Sequence, residues 1–299
     1  MYLRSKISSV FLLTSVSGMV FFMTACSNSQ DLQGKLSLMN SDPNVSRTAQ
    51  VGNTGVVTET ETNAGFPQVT MRYPTNSATN IPTITQLVVQ FSEPVTYVSS
   101  MYLPFRLFKL GDIEHPLTIS LWKSPDSMTY VITPQAELLA GTSYSLDTNY
   151  TRYDDDHKLR DANGNIAAAS FARFTTASVL ASTVNATNNP APVFVYPSNS
   201  SQGIPTNSNF VVVFSEPVVP EGEGSFRLHP SPTDNSLMNK ENWQIPGGMT
   251  YVVSPQGDLS GNHLYRFVIR FLNDLNGNAV NQSQHNFTTG AAAGSAVTE

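Results

Sequence analysis

Three consecutive aspartates, Asp154, Asp155 and Asp156, stand shortly ahead of the run Asp161-Ala-Asn163-Gly-Asn165. Hard oxygen donors at this density suit calcium, which gathers several carboxylate, amide and carbonyl oxygens around itself. Glu93, in the segment Phe-Ser-Glu-Pro-Val, joins the same ligand set if its loop and the Asp161 loop meet at one end of the fold. The same residues also suit a purely local task. Asn-Gly builds a tight turn, and an aspartate caps such a turn by accepting backbone N–H groups. The sequence leaves both readings open. A second run, Asp274-x-Asn276-Gly277-Asn278, lacks the upstream aspartates, so calcium is expected in the first copy and weakly or not at all in the second.

No other chemistry is spelled out. The five histidines show no metal spacing, and His157 beside the aspartates reads as part of a solvated loop. No nucleophile elbow, phosphate loop or dinucleotide fingerprint occurs, so no catalytic residue is nominated, no cofactor is required and an enzyme is disfavoured. With 16 Lys and Arg against 22 Asp and Glu, the net charge is −6, and no basic stripe exists to neutralise phosphates. Nucleic acid is therefore not an expected partner.

What must position these loops is written twice. Residues 73–95 read YPTNSATNIPTITQLVVQFSEPV, and residues 196–218 read YPSNSSQGIPTNSNFVVVFSEPV, in register without a gap. Trp122-x-x-Pro-x-x-Met-Thr-Tyr130 recurs as Trp243-x-x-Pro-x-x-Met-Thr-Tyr251, and Phe-Thr-Thr closes both copies at Thr176 and Thr289. A period of about 120 residues is the size of a domain and too long for a solenoid repeat. Short alternating segments punctuated by Pro, Gly and Asn give seven strands per copy and no amphipathic helix. In the first copy they lie at 68–73, 87–91, 105–110, 117–122, 128–133, 143–148 and 171–176. The fold class is all-β: two tandem immunoglobulin-like, Greek-key β-sandwiches of about seven strands each. Tyr144 and Tyr265 stand where such sandwiches carry a tyrosine corner, although the neighbouring glycine is displaced (Gly141 against Gly261), which predicts a difference in corner geometry. Trp122 and Trp243, at equivalent positions, are expected to pack in the cores.

The boundaries follow. Residues 1–25 read as a signal peptide and 26–65 as a flexible Ser/Asn/Thr-rich tether. Residues 66–177 form domain 1, 178–190 a linker, 191–290 domain 2 and 291–299 a disordered tail. Arg4 and Lys6 precede an apolar stretch too short to span a membrane comfortably. The tether, as a coil of about 40 residues, reaches on the order of 35 Å. The polar linker predicts two independently folding units with few contacts between them.

The combined motifs, Tyr-Pro…Ile-Pro-Thr…Phe-Ser-Glu-Pro-Val, Met-Thr-Tyr-Val, Leu-x5-Tyr, Asp-x-Asn-Gly-Asn and Phe-Thr-Thr, resemble the SbsA-type bacterial immunoglobulin-like domain. That family is common as tandem modules in envelope proteins. The resemblance covers both domains and implies the sandwich fold but no catalytic residues. Met23-Thr-Ala-Cys26 resembles a bacterial lipobox, which implies cleavage before Cys26 and lipid attachment to its sulfur. With Ser27 next in line, it further implies export to the outer membrane. An ordinary secretory signal or an N-terminal anchor helix is the alternative. Cys26 is the only cysteine, so no disulfide can staple either domain. Two functions remain open: a lipid-anchored surface module that binds a protein or glycan, and a purely structural envelope spacer. A minor third is an accessory module of an envelope enzyme complex.

Overall fold

The computed structural model describes residues 65–98, 102–150, 157–181, 189–222 and 224–293, together with four short N-terminal strands. The chain divides into two compact units, Met1–Asn63 and Ala64–Glu299. In the first unit, β1 (Phe11–Thr14) pairs antiparallel with β2 (Val20–Met23), and β3 (Arg47–Val51) with β4 (Val57–Glu61). Cys26 and residues 182–188 and 294–299, with their anchor, linker and tail readings, lie outside the described residues.

The second unit holds both copies. Domain 1 comprises β5 (Val69–Tyr73), β6 (Ala78–Ile81), β7 (Leu87–Phe91), β8 (Phe105–Lys109), β9 (Ile119–Lys123), β10 (Thr129–Pro134), β11 (Ser143–Thr148) and β12 (Ser170–Thr176). Its sheets run β5-β7-β10-β9 and β6-β12-β11-β8, the two-sheet pairing of an immunoglobulin-like sandwich. All seven expected strands form. β6 is an addition, running parallel to β12; it buries Ile81 with Ala78 half-buried against the core, and its polar middle hides it from an alternation search.

Domain 2 repeats the plan with β13 (Pro192–Tyr196), β14 (Phe210–Phe214), β15 (Val218–Pro220), β16 (Phe226–His229), β17 (Lys240–Gln244), β18 (Thr250–Pro255), β19 (Leu264–Ile269), β20 (Leu272–Asp274) and β21 (Ser283–Thr288). One sheet is β13-β14-β18-β17 and the other β16-β19-β21, with β15 and β20 forming a separate ribbon at one end. Among the described residues no helix is long and apolar enough to cross a membrane.

Most of the shared motif residues are fasteners. The Tyr130 hydroxyl donates to the carbonyl of Val95 at 2.5 Å, and Tyr251 to Val218 at 2.8 Å, so the Met-Thr-Tyr tyrosine holds the loop after Ser-Glu-Pro in both copies. At the opposite end, the Tyr144 and Tyr265 hydroxyls accept the N–H of Leu139 and of Ser260, both at 2.9 Å. The corners are thus alike, against the expected difference. The left-handed position is filled by Gly141 (φ 56°) in one copy and Asn262 (φ 52°) in the other, residues that both tolerate it. Gly261 has a separate duty, because a Cβ there would lie 2.6 Å from the Ala291 carbonyl oxygen. Thr176 and Thr289 close the same ends, donating to Leu139 O and Ser260 O at 2.6 Å each.

The two domains are not independent beads. Strands β7 and β14 are buried along their whole length, on both faces. Phe91 and Tyr130 fill the interior of domain 1, whereas Val88, Gln90, Thr129 and Val131 point outward and are still buried, each at most 1% exposed. Domain 2 covers them. Tyr73 packs on Phe194 with ring centroids 4.9 Å apart, and the buried apolar residues of both domains form one continuous cluster. Gln86 donates to Pro246 O at 2.8 Å, and Asn209, its counterpart in domain 2, donates to Asp126 Oδ2 at 2.8 Å and Thr129 Oγ1 at 2.9 Å. The start of the second sheet strand of each domain therefore meets the hairpin turn of the other, the reciprocal pattern of a two-fold dimer made within one chain. Register places Trp122 opposite Val131 and Trp243 opposite Val252, on these outward faces. Both tryptophans are half-buried beside the interface rather than inside the sandwiches.

Candidate functional site

One end of each sandwich gathers the loop after Ser-Glu-Pro and the Asp-x-Asn-Gly-Asn loop. In domain 1 the join is a two-way backbone bridge between Thr96 and Arg160, both bonds 2.8 Å. In domain 2 it grows into the β15–β20 ribbon. The aspartate of each loop organises it. Asp161 Oδ1 accepts the N–H groups of Asn163 and Asn165 at 2.8 Å, and Oδ2 accepts the Asn165 amide at 2.7 Å. Asp274 repeats this with the N–H groups of Asn276 (2.8 Å) and Asn278 (2.7 Å) and the Asn278 amide (2.7 Å). Burial alone would raise both carboxyls, but the asparagine donors outweigh it and hold them below the usual range.

Glu93 lies close enough to Asp161 to feel its charge. Partial burial, and then the Asp161 charge, push its carboxyl above the ordinary value. Glu216 and Asp274 make the same pair in domain 2. The structure therefore brings Glu93, Asp161, Asn163 and Asn165 to one pole, while Asp154, Asp155 and Asp156 lie outside the described residues. Among the described residues no three His, Cys, Asp or Glu side chains are grouped to hold a metal ion. His157 stacks edge-on against Tyr102, centroids 5.0 Å apart.

Sequence reasoning missed Asn149. Its amide donates to Ala167 O at 2.7 Å, and its carbonyl accepts the N–H of Leu159 at 2.8 Å, tying down both sides of the long loop that only domain 1 has. The available signal was an Asn directly after a β-forming run, a residue that readily takes the left-handed conformation (φ 51°) found there.

These features define tandem immunoglobulin-like sandwiches whose motifs act as internal fasteners. Residues 63–176 and 186–289 each match the family described as bacterial Ig-like domain, and the chain belongs to that family. The chain is similar to PcoC, a methionine-rich copper resistance protein from Escherichia coli, at 19% identity over 38% of this chain and 99% of that one, TM-score 0.28. It is similar also to the S-layer protein SbsC, at 15% identity over 76% of this chain and 26% of that one, TM-score 0.28. This chain thus spans about a quarter of that S-layer protein. Comparison with curated proteins finds no match.

Proposed function

We propose that the chain is an exported, lipid-anchored envelope module of the SbsA type, whose paired domains act as a non-catalytic binding or adhesion unit. The observation that carries the binding reading is the reciprocal packing of the two outward sheet faces. Domains laid side by side span far less distance than domains strung end to end, which suits a rigid platform better than a spacer. The anchor reading rests on Cys26 and its setting. Replacing Cys26 by Ser should abolish lipid labelling and release the protein into the soluble fraction; unchanged membrane fractionation would contradict it.

Screening the fragment from Ser27 onward against glycans and envelope or host proteins tests the platform. A saturable ligand supports it, and none, combined with a cell-surface defect cured by an unrelated spacer, favours the structural alternative. Calcium at the first pole belongs to the same proposal, since a cation there would relieve the repulsion between Glu93 and Asp161. A higher melting midpoint in millimolar calcium than in chelator, lost in Asp161→Ala, supports it, and coincident melts refute it.

A further inference from the structure

The duplication supplies an internal control for surface chemistry. The β15–β20 ribbon pairs Val219 with Asn273 and Pro220 with Leu272, and Leu272 and Asp274 turn inward. Val219 and Asn273 therefore face outward, flanked by Phe271 and Leu275 at the ends of the second strand. Val219 is 45%, Phe271 51% and Leu275 77% exposed. At the matching positions of domain 1, fixed by the Thr96–Arg160 bridge and the Asp161 loop, stand Thr96, Lys158, Arg160 and Ala162. Three of these four positions are polar in domain 1, whereas three of the four are large and apolar in domain 2.

Phe271 is the least expected of these residues. Its φ is 55°, a left-handed conformation that a bulky residue adopts at a cost and that Asn or Gly adopts readily. It occupies the sharp corner where domain 1 instead makes its long loop, starting from left-handed Asn149. Nothing in the corner's own geometry calls for an exposed aromatic ring. Strained positions of this kind concentrate at functional surfaces.

Charge accompanies the patch. The Arg270 guanidinium lies over the Phe271 ring, 4.4 Å from its centroid. Arg270 Nε reaches Gly224 O at 3.4 Å, and Arg227 packs against the same glycine, where a Cβ would lie 3.3 Å from its Nη2. Desolvation, and then the Arg227 charge, lower the affinity of Arg270 for its proton. No ion pair of either arginine is seen among the described residues, and the ribbon's own carboxylate, Glu221, is taken up by the Asn273 amide instead. Two neighbouring cations beside an exposed ring and two aliphatic side chains complement an anion flanked by apolar groups.

We propose that this ribbon is a docking site for an acidic–hydrophobic segment of a partner protein, with Phe271 as the apolar anchor and Arg270 and Arg227 as the carboxylate receptors. The site refines the binding reading above and rests on it. Displayed random short peptides are selected on the chain from Ser27 onward, then compared on Phe271→Asn and Arg270→Gln. The expected result is enrichment of peptides with Asp or Glu beside an aromatic or aliphatic residue. Phe271→Asn should weaken them at least about tenfold with an equal or higher melting midpoint. Arg270→Gln should weaken the same peptides and reduce the salt dependence of binding. Enriched peptides without acids, or equal binding by Phe271→Asn, overturns the site. Retention of anionic lipid vesicles with no peptide enrichment overturns it in favour of a lipid surface. A glycan or protein ligand found in the broader screen and unaffected by Phe271→Asn overturns this site while leaving the binding reading intact.

Discussion

Asn209 is the residue at which the pairing of the two domains can be measured. It is 2% exposed and makes three side-chain bonds: to Asp126 and Thr129 across the interface, and from the Ser254 hydroxyl at 2.7 Å within its own domain. Each neutral buried bond contributes about 1 kcal/mol net. The bond to Asp126 is charge-assisted, but that carboxylate is exposed, so about 1–2 kcal/mol is a fair discounted value. Asn209→Ala should therefore destabilise the chain by about 3–4 kcal/mol, measured by urea or guanidinium unfolding. Part of that loss is local, and a double-mutant cycle with Asp126→Ala isolates the crossing part. Asp126 also accepts the Met128 N–H at 3.0 Å, a contribution the cycle cancels. The coupling should be about 1–2 kcal/mol. A coupling below about 0.3 kcal/mol, with Asn209→Ala costing only its Ser254 bond, would show that the domains are not packed through these faces.

Two further outcomes follow from the fasteners and the buried rings. Tyr144→Phe and Tyr265→Phe should each cost about 1–1.5 kcal/mol in equilibrium unfolding, because both hydroxyls accept one backbone N–H at the same distance; a several-fold disparity would mean the corners differ after all. Burial lowers the pKa of His285, and burial followed by neighbouring charges that include Arg266 lowers that of His229. Both stay neutral in the folded state after their unfolded counterparts have taken a proton. Stability should therefore fall as pH drops below about 6.5, and His285→Gln should flatten that slope in urea titrations between neutral pH and about pH 5.

The fold was largely legible because its signals are local. Alternating β-formers, Pro and Gly stops and the repeated tyrosines each report on their own neighbourhood, and all seven expected strands formed in domain 1. The interface was not anticipated, since a polar linker suggested separate units. Its signal was nevertheless present: Leu87-Val-Val-Gln-Phe91 and Phe210-Val-Val-Val-Phe214 are nearly continuous apolar runs, whereas a strand facing water on one side alternates. The outer positions Val88, Val211 and Val213 needed a cover that neither sandwich supplies for itself. At the pole, the meeting of Glu93 with Asp161 could be deduced from topology, because strand order puts both loops at one end. The clamp made by Asn163 and Asn165 could be foreseen only as one of two uses for the same residues. The exposed corner at Phe271 is hidden in the sequence, where Tyr265 to Phe271 looks like one uninterrupted β segment although β19 ends at Ile269 and the backbone turns at Phe271.

The two bacterial Ig-like domains form one pair through their outward sheet faces. Cys26 is the sole cysteine, so a fragment beginning at Ser27 accepts two engineered labels without interference. Thr118 and Asn239 are exposed and lie in corresponding loops of the two domains. Nitroxides on Thr118→Cys and Asn239→Cys should give a single narrow distance distribution by pulsed electron–electron double resonance, one that broadens when Val131 is replaced by Asp. A broad distribution in the parent fragment, insensitive to Val131→Asp, would contradict the claim and return the domains to independent beads on a linker.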